Sequence, residues 1–324
     1  MMDNFAIILL LALVLDWFLG EPQVIWSRVP HPVVLFGKAV GIADKALNLA
    51  TDGPANQRRK GAMAICLLLV VALFAAMLVQ WVLGFFEPIS RVFECLIVFV
   101  LLAQRSLFDH VKAVSDSLRR NGVEGGREAV GLIVGRDPEL LDETGICRAS
   151  IETLAENFSD GVVAPAFWFG VFGLPGLFIY KMINTADSMI AYRSEKYLHF
   201  GRVTAQIDDL ANWLPARLSF GIIAFGAVFV SGLRSAKNSV SVVLRDAGLH
   251  RSPNAGWPEA AMAGAMDIAL GGPRKYAHET VSQAFIHGSG KRDLSARDIE
   301  TSLRFFRAAC FVLWGLVVAI ALVS

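Results

Sequence analysis

Residues 61–86 form a nearly unbroken apolar run directly after Arg58, Arg59 and Lys60. About 20 apolar residues suffice to cross a bilayer, and in hydrocarbon each backbone N–H and C=O must find its partner within the protein. A run of this length therefore commits the chain to helices in a membrane. The composition agrees: of 324 residues, 55% are hydrophobic and 18% charged, with a mean hydropathy of +0.52, whereas a soluble domain is roughly a quarter charged.

The other apolar runs are less complete. Residues 5–19 follow only Met1, Met2, Asp3 and Asn4, without a cationic leader or a small-residue cleavage site, and are expected to be an anchor. Residues 308–323 follow Arg304 and Arg307 and are expected to be a terminal span. Residues 92–103 return after a polar break at Glu87, Pro88 and Arg91 and can cross only by recruiting their flanks. Residues 162–180 are interrupted by Pro165, Gly170, Gly173, Pro175 and Gly176, and residues 218–233 are short, so both are re-entrant candidates. Broken backbone is tolerated at membrane depth only against protein or a water-filled cavity, where membrane enzymes and transporters place their sites. The expectation is an all-α, polytopic integral membrane protein, one domain over residues 1–324, with four to six membrane segments. The concentration of Lys and Arg in the long loops makes those helical loops cytoplasmic and places both termini outside.

The net charge of +1 supplies no basic field for nucleic acid. Cys66, Cys95, Cys147 and Cys310 are too scattered for a disulfide framework or a CxxC metal site and are expected as small core hydrophobes. His278-Glu279 lacks the second His of a zinc-protease helix, since Ser282 stands there. Gly288-Ser-Gly-Lys291 lacks the first Gly and the final Ser/Thr of a phosphate loop, and no nucleophile elbow or dinucleotide fingerprint occurs.

The polar residues gather in three clusters. Within residues 148–160, Glu152, Glu156 and Asp160 follow i, i+4, i+8 and would form one acidic helical stripe beside Asn157. Like charges on adjacent turns repel unless a cation or Arg148 lies against them, so the stripe suits Mg²⁺ carrying a phosphorylated substrate as well as it suits a solvated helix face. The second cluster holds Lys181, Asn184, Asp187, Ser188 and Arg193, then Arg202, Asp208, Asp209, Asn212 and Arg217. Its cations suit phosphate or carboxylate groups, with ordinary ion pairing as the alternative. Asp208 and Asp209 diverge by about 100° on a helix, so at most one of them faces a given site. The third cluster is His250-Arg-Ser-Pro-Asn-Ala-Gly-Trp-Pro-Glu259. It combines turn chemistry at Asn254 with a helix first turn at Pro258 and Glu259 whose amides can receive an anion. Near the N-terminus, Asp16 ends an apolar run.

With these clusters in place, the chain resembles the CobD/CbiB family of membrane cobinamide-phosphate synthases of cobalamin biosynthesis. The resemblance runs in order through Leu15-Asp-Trp-Phe-Leu-Gly-Glu-Pro22, Pro30-His-Pro-Val-Val34, residues 148–168, 180–193 and 208–217. It continues from Asp246 through Ser252-Pro-Asn-Ala-Gly-Trp-Pro-Glu-Ala-Ala-Met-Ala-Gly264 to Gly271-Gly-Pro273. Trp17 and Glu21 stand where Arg and Asp are commoner. The resemblance implies an ATP- and Mg²⁺-dependent amide ligase of the bacterial inner membrane with a cytoplasmic active site and no tightly bound prosthetic group. It would join aminopropanol phosphate, or a related amino alcohol, to a propionate carboxylate of the corrinoid adenosylcobyric acid.

On that reading Glu152, Glu156 and Asp160 hold metal, and Glu156, Asp187, Asp208 and Glu259 are the catalytic candidates. Lys181, Asn184, Arg193, Arg202, Arg217 and Asn254 take the substrate phosphates. Which amine is used, and in which oligomeric state, is left open. Two other classes fit parts of the pattern: a Mg²⁺-dependent intramembrane prenyl or lipid-phosphate transferase, and a non-enzymatic AmpE-like membrane sensor.

Overall fold

The structure is a computed structural model and describes every residue except 1, 22–25, 27, 29, 136, 193, 277–278, 282–283 and 324. The described residues are overwhelmingly helical: α1 (Met2–Leu19), α2 (Pro32–Leu47), α3 (Pro54–Leu83), α4 (Ser90–Leu101), α5 (Gln104–Gly131), α6 (Glu143–Phe158), α7 (Ala164–Ile190), α8 (Arg202–Ala211), α9 (Trp213–Asp246), α10 (Gly256–Met266) and α11 (Ala296–Val323). The sequence reading did not anticipate two small antiparallel pairs between α10 and α11. They are β1 (Leu270–Gly271) with β4 (Phe285–Ile286), and β2 (Arg274–Tyr276) with β3 (Glu279–Val281).

Four helical stretches are long and apolar enough to cross a membrane: Pro54–Phe86, Glu143–Ile190, Trp213–Leu249 and Ala296–Val323. The all-α polytopic membrane class therefore holds. The two weak stretches of the sequence, 162–180 and 218–233, lie on two of these four. The return run at 92–103 does not recruit its flanks. Its helix α4 has 12 residues and ends at Leu101, a rise of about 18 Å against a hydrocarbon thickness of about 30 Å.

The chain forms two compact units, Met1–Ala103 with Ala164–Asn212 and Val317–Ser324, and Gln104–Val163 with Trp213–Leu316. In the first, α3 buries Gly61, Ala64, Ile65, Leu68, Ala72 and Ala76 and exposes Leu67, Phe74, Leu78 and Trp81. Four of the six buried residues are Gly or Ala while large apolar side chains face outward, which inverts the soluble pattern. Lipid tails solvate the outer face, while small side chains let neighbouring backbone approach. At Gly61 a Cβ would lie 1.9 Å from the Phe200 carbonyl oxygen, so only hydrogen fits. Cys66 is exposed on this helix, contrary to its expected place in the core, whereas Cys95, Cys147 and Cys310 are buried; all four are free thiols.

Within α7, two helical segments meet at Gly173, whose φ of +65° is left-handed and whose Cβ would strike the Phe5 ring of α1 at 2.8 Å. Pro175 follows at once, so its missing N–H falls where the hydrogen-bond ladder is already interrupted. The break predicted from the Gly and Pro residues is thus a glycine hinge inside one long helical stretch.

In the second unit, α10 is buried along nearly its whole length and packs on α9. Ser235 Oγ donates to the Ala265 carbonyl (2.6 Å), Asn238 Nδ2 to that of Gly264 (2.6 Å) and Ser239 Oγ to that of Ala261 (2.9 Å). The last four carbonyls of a helix have no partner within it. Two of these bonds satisfy such orphans. A Cβ at Gly264 would lie 2.8 Å from the Asn238 carbonyl oxygen and from Ser239 Cα.

Gly264→Val must therefore push α10 off α9, at a cost of about 1–3 kcal/mol or more. In detergent, melting followed by a thiol-reactive dye that reports exposure of the buried cysteines should show a lower Tm for this variant. Gly221→Ala, with nothing within 4 Å of the new methyl, should melt like the parent. A Gly264→Val melt that matches the parent would contradict the close packing.

Candidate functional site

The acidic cluster begins on α6, whose N-cap Asp142 accepts from the Gly145 amide at 2.7 Å. The helix passes into a π-helical turn at Ser159–Val163. Asp160 lies in that turn, four residues after Glu156. The three carboxylates differ in environment: Glu152 is buried, Glu156 exposed and Asp160 half-buried. Glu152 Oε1 accepts the backbone amide of Gly271 at 2.8 Å, joining two segments 119 residues apart. Gly271 takes a left-handed φ of +69°, which turns β1 as it pairs with β4. Arg148 engages the same hairpin, donating to the carbonyls of Arg292 (3.0 Å) and Ala269 (3.4 Å) and lying over the Phe285 ring.

Among the described residues, no three or more of His, Cys, Asp and Glu gather closely enough to hold a metal ion. Mg²⁺ is ordinarily bound by one or two carboxylates together with phosphate oxygens and water. An exposed Glu156 and a half-buried Asp160 one turn on fit a Mg²⁺ delivered with a phosphate, and do not fit an all-protein cage.

The second cluster divides between the units. In the first unit, Tyr180 Oη donates to Asn212 Oδ1 (2.9 Å), and Asn212 Nδ2 donates to Asp208 Oδ2 (3.0 Å). This relay fixes Asp208 through two buried side chains. Asp209 instead bears on Asp187, near enough for like-charge repulsion between the carboxylates, and burial pushes the Asp209 carboxyl above its usual range. The two neighbouring aspartates thus diverge, as helical geometry requires, and Asp209 joins Asp187 as a candidate that the sequence reading passed over. On α7, Lys181 is buried, while Asn184 and Asp187 are half-buried and Ser188 is exposed. Arg202 is exposed at the first position of α8. Arg193 lies outside the described residues.

In the second unit, Arg217 meets the third cluster. Its Nη1 donates to the Trp213 carbonyl and to Asn254 Oδ1, both at 2.8 Å. Its guanidinium lies 4.8 Å from the Trp213 ring and 4.5 Å from that of Trp257. The indole π-faces attract the cation and hold its plane. Ser252 Oγ accepts the amides of Asn254 and Ala255 at 3.2 Å, the side-chain turn expected of this string. Buried Glu259 stands with Oε1 3.6 Å from His250 Nε2. Arg217 and Asn254, chosen separately from sequence, are partners. The indoles that clamp Arg217 were not foreseen, although the i, i+4 spacing of Trp213 and Arg217 was a usable signal.

One group was missed altogether. Asp267 and His287 are the only non-glycine residues with positive φ among the described residues, at +55° and +53°, and Asp267 Oδ1 lies 2.7 Å from His287 Nε2. Asp246, named in the resemblance without a role, accepts the His287 amide at 2.7 Å and holds Arg245 in a two-point ion pair. The available signal was an Asp directly after an Ala-rich helix, where a helix commonly ends on Gly.

The family described as CobD/Cbib protein matches residues 9–306. The chain is 51% identical over 323 residues to a protein of Sinorhizobium sp named "Cobalamin biosynthesis protein CobD", covering 100% of each. Proteins of that name are 49% identical in Brucella suis, over 100% of this chain and 99% of the relative, and 38% identical in Rhodobacter capsulatus, over 99% and 98%. No solved structure matches the chain. The strings that carry the resemblance and the full-length likeness to these relatives agree: the chain belongs to the CobD/CbiB family of cobalamin-biosynthesis membrane proteins.

Proposed function

We propose that this protein is an ATP-dependent amide ligase that joins an amino-alcohol phosphate to a propionate carboxylate of adenosylcobyric acid, giving adenosylcobinamide phosphate. The observation that carries the reading is that strings far apart in the chain are bonded to one another at polar side chains. Glu152 of the acidic helix binds the Gly271 amide, and Arg217 binds Asn254. Together with membership of a cobalamin-biosynthesis family, this supports a corrinoid substrate and a site that handles charged groups.

A free carboxylate is a poor electrophile. Its oxygen attacks the γ-phosphorus of ATP, releasing ADP and leaving an acyl phosphate. The amine, after losing a proton, attacks the carbonyl carbon, and inorganic phosphate departs with the bond that breaks. Mg²⁺ would supply charge neutralisation of the phosphates and a template for the transfer. Glu156 and Asp160 would hold it, while Glu152 fixes the Gly271 turn beside them. Arg217, kept in plane by two indoles and Asn254, would present a guanidinium edge to a phosphate. The ammonium proton leaves to water; Asp187, Asp208 and Asp209, all in the first unit, are candidate general bases by residue type alone. The site would face the cytoplasm of the bacterial inner membrane, where ATP is available.

Detergent-purified protein with Mg²⁺, ATP, adenosylcobyric acid and aminopropanol phosphate should yield a corrinoid heavier by the amine minus water. Omitting either ATP or the amine should abolish that product in the mass spectrum. A product formed without ATP, or none with any amino alcohol tried, would overturn the reading. Glu156→Gln should lose turnover while keeping the parent's melting temperature; near-normal turnover would remove Glu156 from the site. Asn254→Ala frees one side of the Arg217 clamp and should lower kcat/KM by about tenfold or more, the worth of a hydrogen bond to a charged group. An unchanged kcat/KM would show that the clamp is only structural.

A further inference from the structure

Asp267 and His287 meet in the second unit where α10 ends. Asp267 follows α10 in the left-handed region, and its side chain is 78% exposed while that of His287 is 6% exposed. The polar atoms of His287 are all engaged. Its amide donates to Asp246 Oδ2, Nδ1 lies 3.3 Å from Arg245 Nη2, and Nε2 lies 2.7 Å from Asp267 Oδ1. A guanidinium can only donate, so Nδ1 accepts and the ring proton sits on Nε2, from where it is donated to Asp267. Arg245 is itself fixed by its two bonds to Asp246 at 2.7 Å.

The backbone around the pair is pinned as well. Lys291 donates its amide to the Asp267 carbonyl, and Ala269 donates to that of Lys291. A Cβ at Gly290 would collide with His287 Cδ2 and the Ile268 carbonyl carbon, both at 2.7 Å, so the turn closes over the imidazole only because glycine is there. The left-handed φ of Asp267 is that of a helix C-cap, in which the Ile268 amide donates to the Ala263 carbonyl at 3.0 Å. Here the whole device presents one carboxylate outward.

We propose that Asp267 binds the primary ammonium of the amino-alcohol substrate, with His287 as its positioning residue. The inference rests on the ligase reading above and assigns its amine subsite. A single carboxylate with one oxygen already on an imidazole N–H suits a monovalent cation with three N–H donors. A divalent metal needs more anionic oxygens, and the nearby charges are already paired, Arg245 with Asp246 and Lys291 with Asp298.

The test compares aminopropanol phosphate with the same phosphate lacking the amine, by calorimetric titration of the purified protein and by steady-state kinetics of product formation. The parent should bind the amine-bearing compound about tenfold or more tightly. Asp267→Asn keeps size, tolerance of left-handed φ and the hydrogen bond from His287, and removes only the charge. It should lose that discrimination and raise KM for the amine about tenfold or more, with KM for ATP and the corrinoid unchanged. His287→Leu should follow Asp267→Asn, and His287→Gln, which retains an N–H donor, should stay near the parent. Retained discrimination and an unchanged amine KM in Asp267→Asn would overturn the inference while leaving the ligase intact. Failure of the parent to form the amide would instead overturn the ligase reading on which it rests.

Discussion

The contact on which the second unit depends is between polar side chains of α9 and carbonyls of α10. Six of the eleven residues of helix α10 are Gly or Ala and the helix is buried along its length, so its face at Ala261, Gly264 and Ala265 offers no large side chain to key its position by interlocking. Ser235, Asn238 and Ser239 do that instead, each reaching a particular carbonyl. Glu259 opens the helix and Asp267 closes it. Sliding α10 by one residue would break these bonds and carry both carboxylates away from His250 and His287.

Hydrocarbon imposes a second constraint. Helices satisfy their own backbone there, so a bend must occur where few hydrogen bonds are lost and where a residue can adopt the bent conformation. Gly173 and Gly232 supply such points in α7 and α9, each with a left-handed φ. The apolar stretch at 218–233 looks short because it ends at this second hinge, beyond which α9 continues with polar residues.

Much of this was legible in the sequence because membrane helices leave a simple trace. The run at 61–86 and the Gly/Pro interruptions at 162–180 each correspond to a feature of the fold. The Ser252 turn was also legible, since its side-chain bonds are local. The contacts made at a distance were not. Nothing near Glu152 announces Gly271, and nothing near Asp246 announces His287. The π turn at Ser159–Val163, in which Asp160 lies, was not foreseen, because a change in helical winding leaves no periodic signature in five residues.

In the ligase proposed for this protein the carboxylate oxygen, rather than water, becomes the bridge to phosphate. Adenosylcobyric acid labelled with ¹⁸O in its propionate carboxylate tests this directly, with the released inorganic phosphate analysed by mass spectrometry after turnover. The account predicts one ¹⁸O atom in each phosphate and one in each amide product. Unlabelled phosphate accompanying a labelled amide would contradict the acyl phosphate, and with it the activation step on which the proposed ligase is built.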